Sequence, residues 1–145
     1  MAYESLRRAP TNVVAHGIDL IETDEFARLV EDLAGPHIDR YFTTEELVAV
    51  GEGHVRAEKL ASRFATKEAT IKALGLGWGD GVAFTDVEVR TMPTGAPVIT
   101  LHRRLEEVAR DRGIVEGVVS ASHTSSAVVA SVIGLANSAD PTGQD

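Results

Sequence analysis

The chain has 145 residues, a length that suits one domain with its own hydrophobic core. Hydrophobic residues make up 43% and charged residues 25%, and the absence of cysteine excludes disulfides and thiolate metal sites. The net charge of −8 argues against nucleic acid as the main partner, because phosphate contacts need a basic surface.

The apolar segments are too short to cross a membrane. The longest, AVVASVIGLA at 127–136, reaches only half of the about 20 residues that a transmembrane helix needs. The first residues, MAYESLRRAPTNVV, contain no apolar core of the kind found in secretory signals. The sequence therefore predicts a soluble, cytoplasmic protein without a membrane partner.

The first half of the chain predicts one strand followed by three helices. The β-branched segment 13–21 favours a strand, in which Gly17 indicates a bulge or a close approach of another backbone. Thr23 or Asp24 is a suitable cap for a helix that runs to Leu33. A second helix is predicted to begin at the Thr-Thr-Glu-Glu segment 43–46.

The longest predicted helix covers residues 56–74. Its apolar residues keep the three-to-four residue spacing of a buried stripe, and an alanine recurs every four residues, which permits close helix packing. A loop of alternating glycines around Trp78 ends it. The remaining elements are, in order, a strand over 85–90, a turn over 93–97, a strand over 98–101, a helix over 102–112, and strands over 117–122 and 127–135.

The order β-α-α-α-β-β-α-β-β predicts a single α+β domain with a mostly antiparallel sheet and a long central helix. We place this domain at residues 13–135. It follows an N-terminal extension at 1–12 and precedes a polar, flexible tail at 136–145.

Positive charge is concentrated in the longest helix. The chain has three lysines, and all of them lie in this helix, as do Arg56 and Arg63. On an acidic protein, such a helix is either a solvated face or a surface that binds an anionic small molecule.

Two carboxylates are candidates for a metal site. Asp19 lies in the apolar predicted strand, where a buried carboxylate is costly unless it is hydrogen-bonded or bound to a cation. Glu68 lies near the apolar side of the long helix. Together they would form the hard oxygen site that Mg²⁺ prefers. The alternatives are a strand-end hydrogen-bond acceptor for Asp19, and a helical salt bridge between Glu68 and Lys72 worth about 0.3–0.5 kcal/mol.

The order of short motifs is more specific than either carboxylate. The segments are GID at 17–19, RFATKEATIKALG at 63–75, FTDVEV at 84–89, GAP at 95–97 and VSASHT at 119–124. In this order they resemble the holo-[acyl-carrier-protein] synthase family of 4′-phosphopantetheinyl transferases, in its short, single-domain type. The resemblance covers about residues 13–133.

The resemblance implies the fold of that family and its activity. The chain is expected to transfer 4′-phosphopantetheine from coenzyme A to a serine of an apo acyl carrier protein, with release of adenosine 3′,5′-bisphosphate. Asp19 and Glu68 are implied to bind Mg²⁺, and Glu68 and Lys72 to act in catalysis. The residues implied to lie near the cofactor phosphates are basic: Arg63, Lys67, Lys72 and His123.

The resemblance also implies a homotrimer with active sites at the subunit interfaces. The base that takes the serine proton is either Glu68 or a water on the metal. Glu25 lies in the first helix where many family members carry arginine, so this helix is net acidic where the carrier protein is expected to dock.

Two rival functions remain open at this point. One is a non-catalytic module that binds coenzyme A or a carrier protein on the same scaffold. The intact carboxylates argue against it, because a pure binder does not need a metal site. The other is an unrelated Mg²⁺-dependent nucleotide enzyme, such as a diphosphate hydrolase.

Overall fold

The structure, a computed structural model, describes residues 12–33 and 37–137, with the backbone alone for residues 30–33. The elements follow the predicted order: β1 Val13–Glu22, α1 Thr23–Leu33, α2 Thr44–Val50, α3 Arg56–Leu74, β2 Val87–Thr91, β3 Pro97–Leu101, α4 Arg104–Asp111, β4 Ile114–His123 and β5 Ala127–Ala136. Among the described residues, none of the helices combines the length and the hydrophobicity that crossing a bilayer requires.

The strands form two antiparallel sheets. The larger sheet has the order β1-β5-β4, and β2 pairs with β3 as a separate hairpin. The α+β class, the antiparallel pairing and the long helix are confirmed, whereas the single sheet is corrected to two. The hairpin packs on the helices, since Val87 lies in one core cluster with Ile71 and Leu74 of α3 and with Leu105 of α4.

Helix α3 packs tightly against β1, and this contact positions the candidate site. A Cβ atom built on Gly17 would lie 1.9 Å from the carbonyl oxygen of Ala69 and 2.7 Å from the backbone nitrogen of Ala73. Only glycine fits there, which confirms the predicted close approach. Because alternate residues of a strand share a face, Asp19 faces the same helix as Gly17.

Asn12 and Ala136, the residues just outside the predicted domain bounds, pair with each other. Strand β5 includes Ala136, whose backbone N–H donates to the carbonyl oxygen of Asn12 at 2.9 Å. The side-chain amide of Asn12 donates to the carbonyl oxygen of Ala136 at 2.8 Å. The predicted extension and tail thus each contribute a residue to the folded domain, and the rest of them, 1–11 and 138–145, lies outside the described residues.

Candidate active site

A cleft of about 580 Å³ lies between β1, α1 and the C-terminal half of α3. Asp19, Glu68 and Lys72, the three predicted residues with catalytic or metal-binding roles, all line it. The carboxylates of Glu22 and Glu25 line it as well. The cleft therefore contains four carboxylates and one lysine.

Asp19 lies on the inner face of β1, whereas the residues before and after it in the strand lie on the outer face. Ile18 and Leu20 point to the opposite face and are exposed, so the expectation of an apolar, buried surrounding is wrong for them. The Asp19 side chain itself is only 13% exposed. Its Oδ1 accepts a hydrogen bond of 2.8 Å from the Lys72 Nζ, so the carboxylate has a partner.

Lys72 connects α3 to β1. Its Nζ also donates to the carbonyl oxygen of Ile18 at 3.3 Å, although 55% of the side chain is exposed. The hydrogen bond to Asp19 raises the pKa of Lys72, so the ammonium stays charged across the neutral range. The salt bridge of Lys72 is thus made between two elements, whereas its spacing from Glu68 predicts one within the helix.

The Glu68 carboxylate accepts a hydrogen bond from the glycine-rich loop that follows α3. The indole Nε1 of Trp78 donates to Glu68 Oε2 at 3.1 Å. The indole ring stacks on Phe84, with 3.8 Å between the ring centroids. The loop thus brings an aromatic donor back onto the helix that it leaves.

Arg63 and His123 lie in a different cavity, of about 170 Å³, which shares no lining residue with the cleft. His123 Nε2 lies 3.1 Å from Glu58 Oε1. Arg63 Nη2 donates to Thr91 Oγ1 at 3.2 Å, while the buried Nε of Arg63 has no hydrogen-bond partner among the described residues. A single chain therefore does not bring all the predicted site residues together.

Lys67 is the predicted cofactor ligand that requires correction. Its side chain is 0% exposed, and its Nζ donates to Glu46 Oε1 at 2.8 Å, to the Phe84 carbonyl at 3.0 Å and to the Val87 carbonyl. An ammonium has three hydrogens, and all three are used in the core. Lys67 therefore joins α3 to α2 and β2 and does not face a cavity for phosphates.

The donor set of the cleft fits Mg²⁺. The described residues contain no cluster of three or more histidine, aspartate or glutamate side chains with metal-site geometry. Mg²⁺ does not need one, because it typically takes one or two protein carboxylates, with waters and substrate phosphates as its other ligands. Asp19 and Glu68 in one cleft supply that number.

Comparison with known proteins decides the family. A family model for the 4′-phosphopantetheinyl transferase superfamily matches residues 15–124, a range that contains every residue lining the cleft and all residues lining the second cavity except Val128. The chain belongs to that superfamily. The predicted resemblance is confirmed.

Relatives in the superfamily match over most of their length. The holo-[acyl-carrier-protein] synthase of Solibacter usitatus is 36% identical over 121 residues, which are 83% of this chain and 97% of that protein. The enzyme of the same name from Pseudoalteromonas atlantica is 36% identical over 123 residues, 83% of this chain and 95% of the relative. Each alignment thus covers nearly the whole length of the relative.

Solved structures with the same fold include holo-[acyl-carrier-protein] synthases from two bacteria. The Neisseria meningitidis structure has a TM-score of 0.76 at 27% identity and covers 84% of this chain and 98% of its own. The Helicobacter pylori structure, a complex with coenzyme A, has a TM-score of 0.71 at 28% identity and covers 82% and 98%.

Three residues of this region were not predicted as part of the site. Glu22 is the last residue of β1, and strand alternation puts it on the face opposite to Asp19, yet it lines the cleft. The sequence predicts Glu25 only as a residue of the carrier-docking helix, whereas the structure shows that it lines the cleft. Trp78 is the chain's only tryptophan, which makes it conspicuous in the sequence. No helix or strand periodicity predicts that a side chain in a loop contacts Glu68.

Proposed function

We propose that the chain is a Mg²⁺-dependent holo-[acyl-carrier-protein] synthase. It transfers 4′-phosphopantetheine from coenzyme A to a serine of an apo acyl carrier protein. The observation that carries this proposal is the cleft that brings Asp19, Glu68 and Lys72 together in a superfamily domain. Relatives named for this activity, and a relative solved with coenzyme A, support it. The chain has no cysteine, which suits the cytoplasm as its compartment.

The charge of the cleft explains why a cation is needed. Four carboxylates and one lysine would repel a diphosphate. Mg²⁺ on Asp19 and Glu68 would supply positive charge beside the diphosphate. Lys72 adds a second positive charge from the side of β1, and its ion pair with Asp19 fixes its place.

The reaction is a substitution at phosphorus. The serine oxygen forms a bond to the β-phosphorus of coenzyme A, the bond from that phosphorus to the bridging oxygen breaks, and adenosine 3′,5′-bisphosphate leaves. Serine is a weak nucleophile and must lose its proton during the attack. Glu68 is the group in this chain that we propose as the proton acceptor.

Release of the nucleotide product tests this function against its rivals. Adenosine 3′,5′-bisphosphate, measured by chromatography, is expected only when coenzyme A, Mg²⁺ and an apo carrier protein are all present. Release without a carrier protein would identify a diphosphate hydrolase. Binding of coenzyme A with no release under any condition would identify the non-catalytic module.

Lys72→Ala is expected to weaken coenzyme A binding about tenfold and to leave the melting temperature nearly unchanged. A hydrogen bond to a charged group is worth about 1.5–3 kcal/mol, whereas the ion pair with Asp19, in which the Lys72 side chain is 55% exposed, contributes about 1 kcal/mol or less to stability. Titration calorimetry measures the affinity. Arg110→Ala is the matched control, because it breaks the exposed Arg110–Glu106 pair on α4. Equal affinities in the two variants would make Lys72 a structural residue only.

We further propose that the chain forms a homotrimer whose active sites lie between protomers. The outer face of the larger sheet exposes apolar side chains of its two outer strands, β1 and β4, among them Val14, Ile18, Leu20 and Val118. Such a patch is typical of a subunit interface. A second copy on this face is the occupant that also completes the site, because the four carboxylates of the cleft line one cavity of a protomer, whereas Arg63 and His123 line another.

Light scattering is expected to give three times the 15.5 kDa chain mass. Val118→Glu buries a charge in the proposed interface and is expected to yield monomers with little activity. Val48→Glu is the control, since Val48 is 75% exposed on α2, away from the sheet. A fully active monomer, or a Val118→Glu protein that is still trimeric, would exclude this interface.

A further inference from the structure

The Glu68 carboxylate receives its hydrogen bond from an indole whose own position is fixed. Trp78 Nε1 lies 3.1 Å from Glu68 Oε2. The indole stacks on Phe84 at a centroid distance of 3.8 Å and an interplanar angle of 18°, and Phe84 stacks on Phe64 at 5.2 Å and 17°. Phe64 lies one turn before Glu68 on α3. The aromatic stack therefore fixes the position of the indole relative to the helix that carries the carboxylate.

This geometry restricts the carboxylate. An indole N–H only donates, and it occupies one oxygen of Glu68. The hydrogen bond restricts rotation of the long Glu68 side chain, so the second oxygen, Oε1, keeps one orientation. Partners that hydrogen-bond a metal-binding side chain typically account for a 10–100-fold effect on metal affinity or activity.

We propose that Trp78 is a positioning residue that holds the Glu68 carboxylate in the orientation that binds a divalent cation. The inference rests on the proposed function for the role of Glu68 as a metal ligand. Packing is the competing role, because Trp78 also contacts the cluster of Ile71, Leu74, Val87 and Leu105. Packing alone would make substitutions of Trp78 affect stability and not the metal.

The test is titration of Mg²⁺ into the protein by calorimetry, without coenzyme A or carrier protein. Trp78→Phe keeps an aromatic ring for the stack and removes the N–H. The variant is expected to bind Mg²⁺ about tenfold more weakly, and its transfer rate is expected to recover when Mg²⁺ is raised. Leu76→Ala is the matched control, because Leu76 packs on the same cluster from the same loop and leaves the indole intact. It is expected to lower stability and to keep the Mg²⁺ affinity.

A second readout uses the chain's single tryptophan, which gives one indole N–H signal in an NMR spectrum. This signal is expected to shift when Mg²⁺ is added to the parent protein and not when it is added to Glu68→Ala. Unchanged Mg²⁺ affinity in Trp78→Phe, an equal loss in Leu76→Ala, or a parent that binds no Mg²⁺ would overturn the inference. A parent that binds Mg²⁺ but transfers nothing would overturn the proposed function alone.

Discussion

Replacement of Asp19 or Glu68 by alanine is expected to leave a folded protein that has lost at least about 100-fold of its turnover. Each variant removes one of the two carboxylates proposed to hold Mg²⁺. Two unit charges 4 Å apart interact by about 4 kcal/mol at an effective dielectric of 20, and each 1.4 kcal/mol in the barrier is a factor of about ten in rate. Initial rates at limiting and at saturating Mg²⁺ measure the effect, and circular dichroism verifies the fold.

The two carboxylates are not equivalent, and the variants separate their roles. Asp19→Ala also releases Lys72, whereas Asp19→Asn retains an oxygen that accepts the Lys72 hydrogen bond. Asp19→Asn is therefore expected to keep the lysine in place and still lose most of its activity. Glu106→Ala, which removes an exposed carboxylate on α4, is expected to be normal. A near-normal rate at limiting Mg²⁺ in Asp19→Ala or Glu68→Ala would show that the residue is not a ligand.

Lys67→Met is expected to lower the free energy of unfolding by about 3–5 kcal/mol, because it leaves the Glu46 carboxylate buried without its cation. Burial lowers the pKa of Lys67, and the negative charge of Glu46 partly offsets this effect. Each buried charge therefore depends on the other. Urea denaturation at neutral pH measures the loss. Lys59→Met, at an exposed position of the same helix, is expected to change stability by less than about 0.5 kcal/mol.

A double-mutant cycle with Glu46→Gln identifies the pair as the cause. The two substitutions together are expected to cost less than the sum of the single ones, since the second removes the charge that the first leaves unpaired. Normal stability in Lys67→Met, combined with loss of coenzyme A binding, would instead return Lys67 to its sequence-based assignment as a phosphate ligand.

The sequence predicts those features of the fold that depend on residues close together in the chain. The α3 helix and the Gly17 contact follow from short-range signals, namely the apolar stripe, the alanine repeat and a glycine in a strand. The pairing of strands does not follow from them, because β1 pairs with β5 at the other end of the chain. The separate hairpin and the exposed outer face of β1 are therefore findings of the structure.

The candidate site divides in the same way. Ordered motifs predict Asp19, Glu68 and Lys72 as one group, and the structure places them in one cleft. The sequence could not show that Lys67 faces Glu46, because that partner lies on another helix. Nor could it show that Lys72 contacts a carboxylate on β1, or that Arg63 lies in a second cavity.

Intact-mass spectrometry of an apo carrier protein tests the central claim most directly. After incubation with this protein, coenzyme A and Mg²⁺, the carrier is predicted to gain the mass of one phosphopantetheine group. EDTA, or replacement of the carrier's acceptor serine by alanine, is predicted to abolish the gain. An unchanged mass for every carrier protein of the source organism, with folded protein and saturating Mg²⁺, would contradict the account.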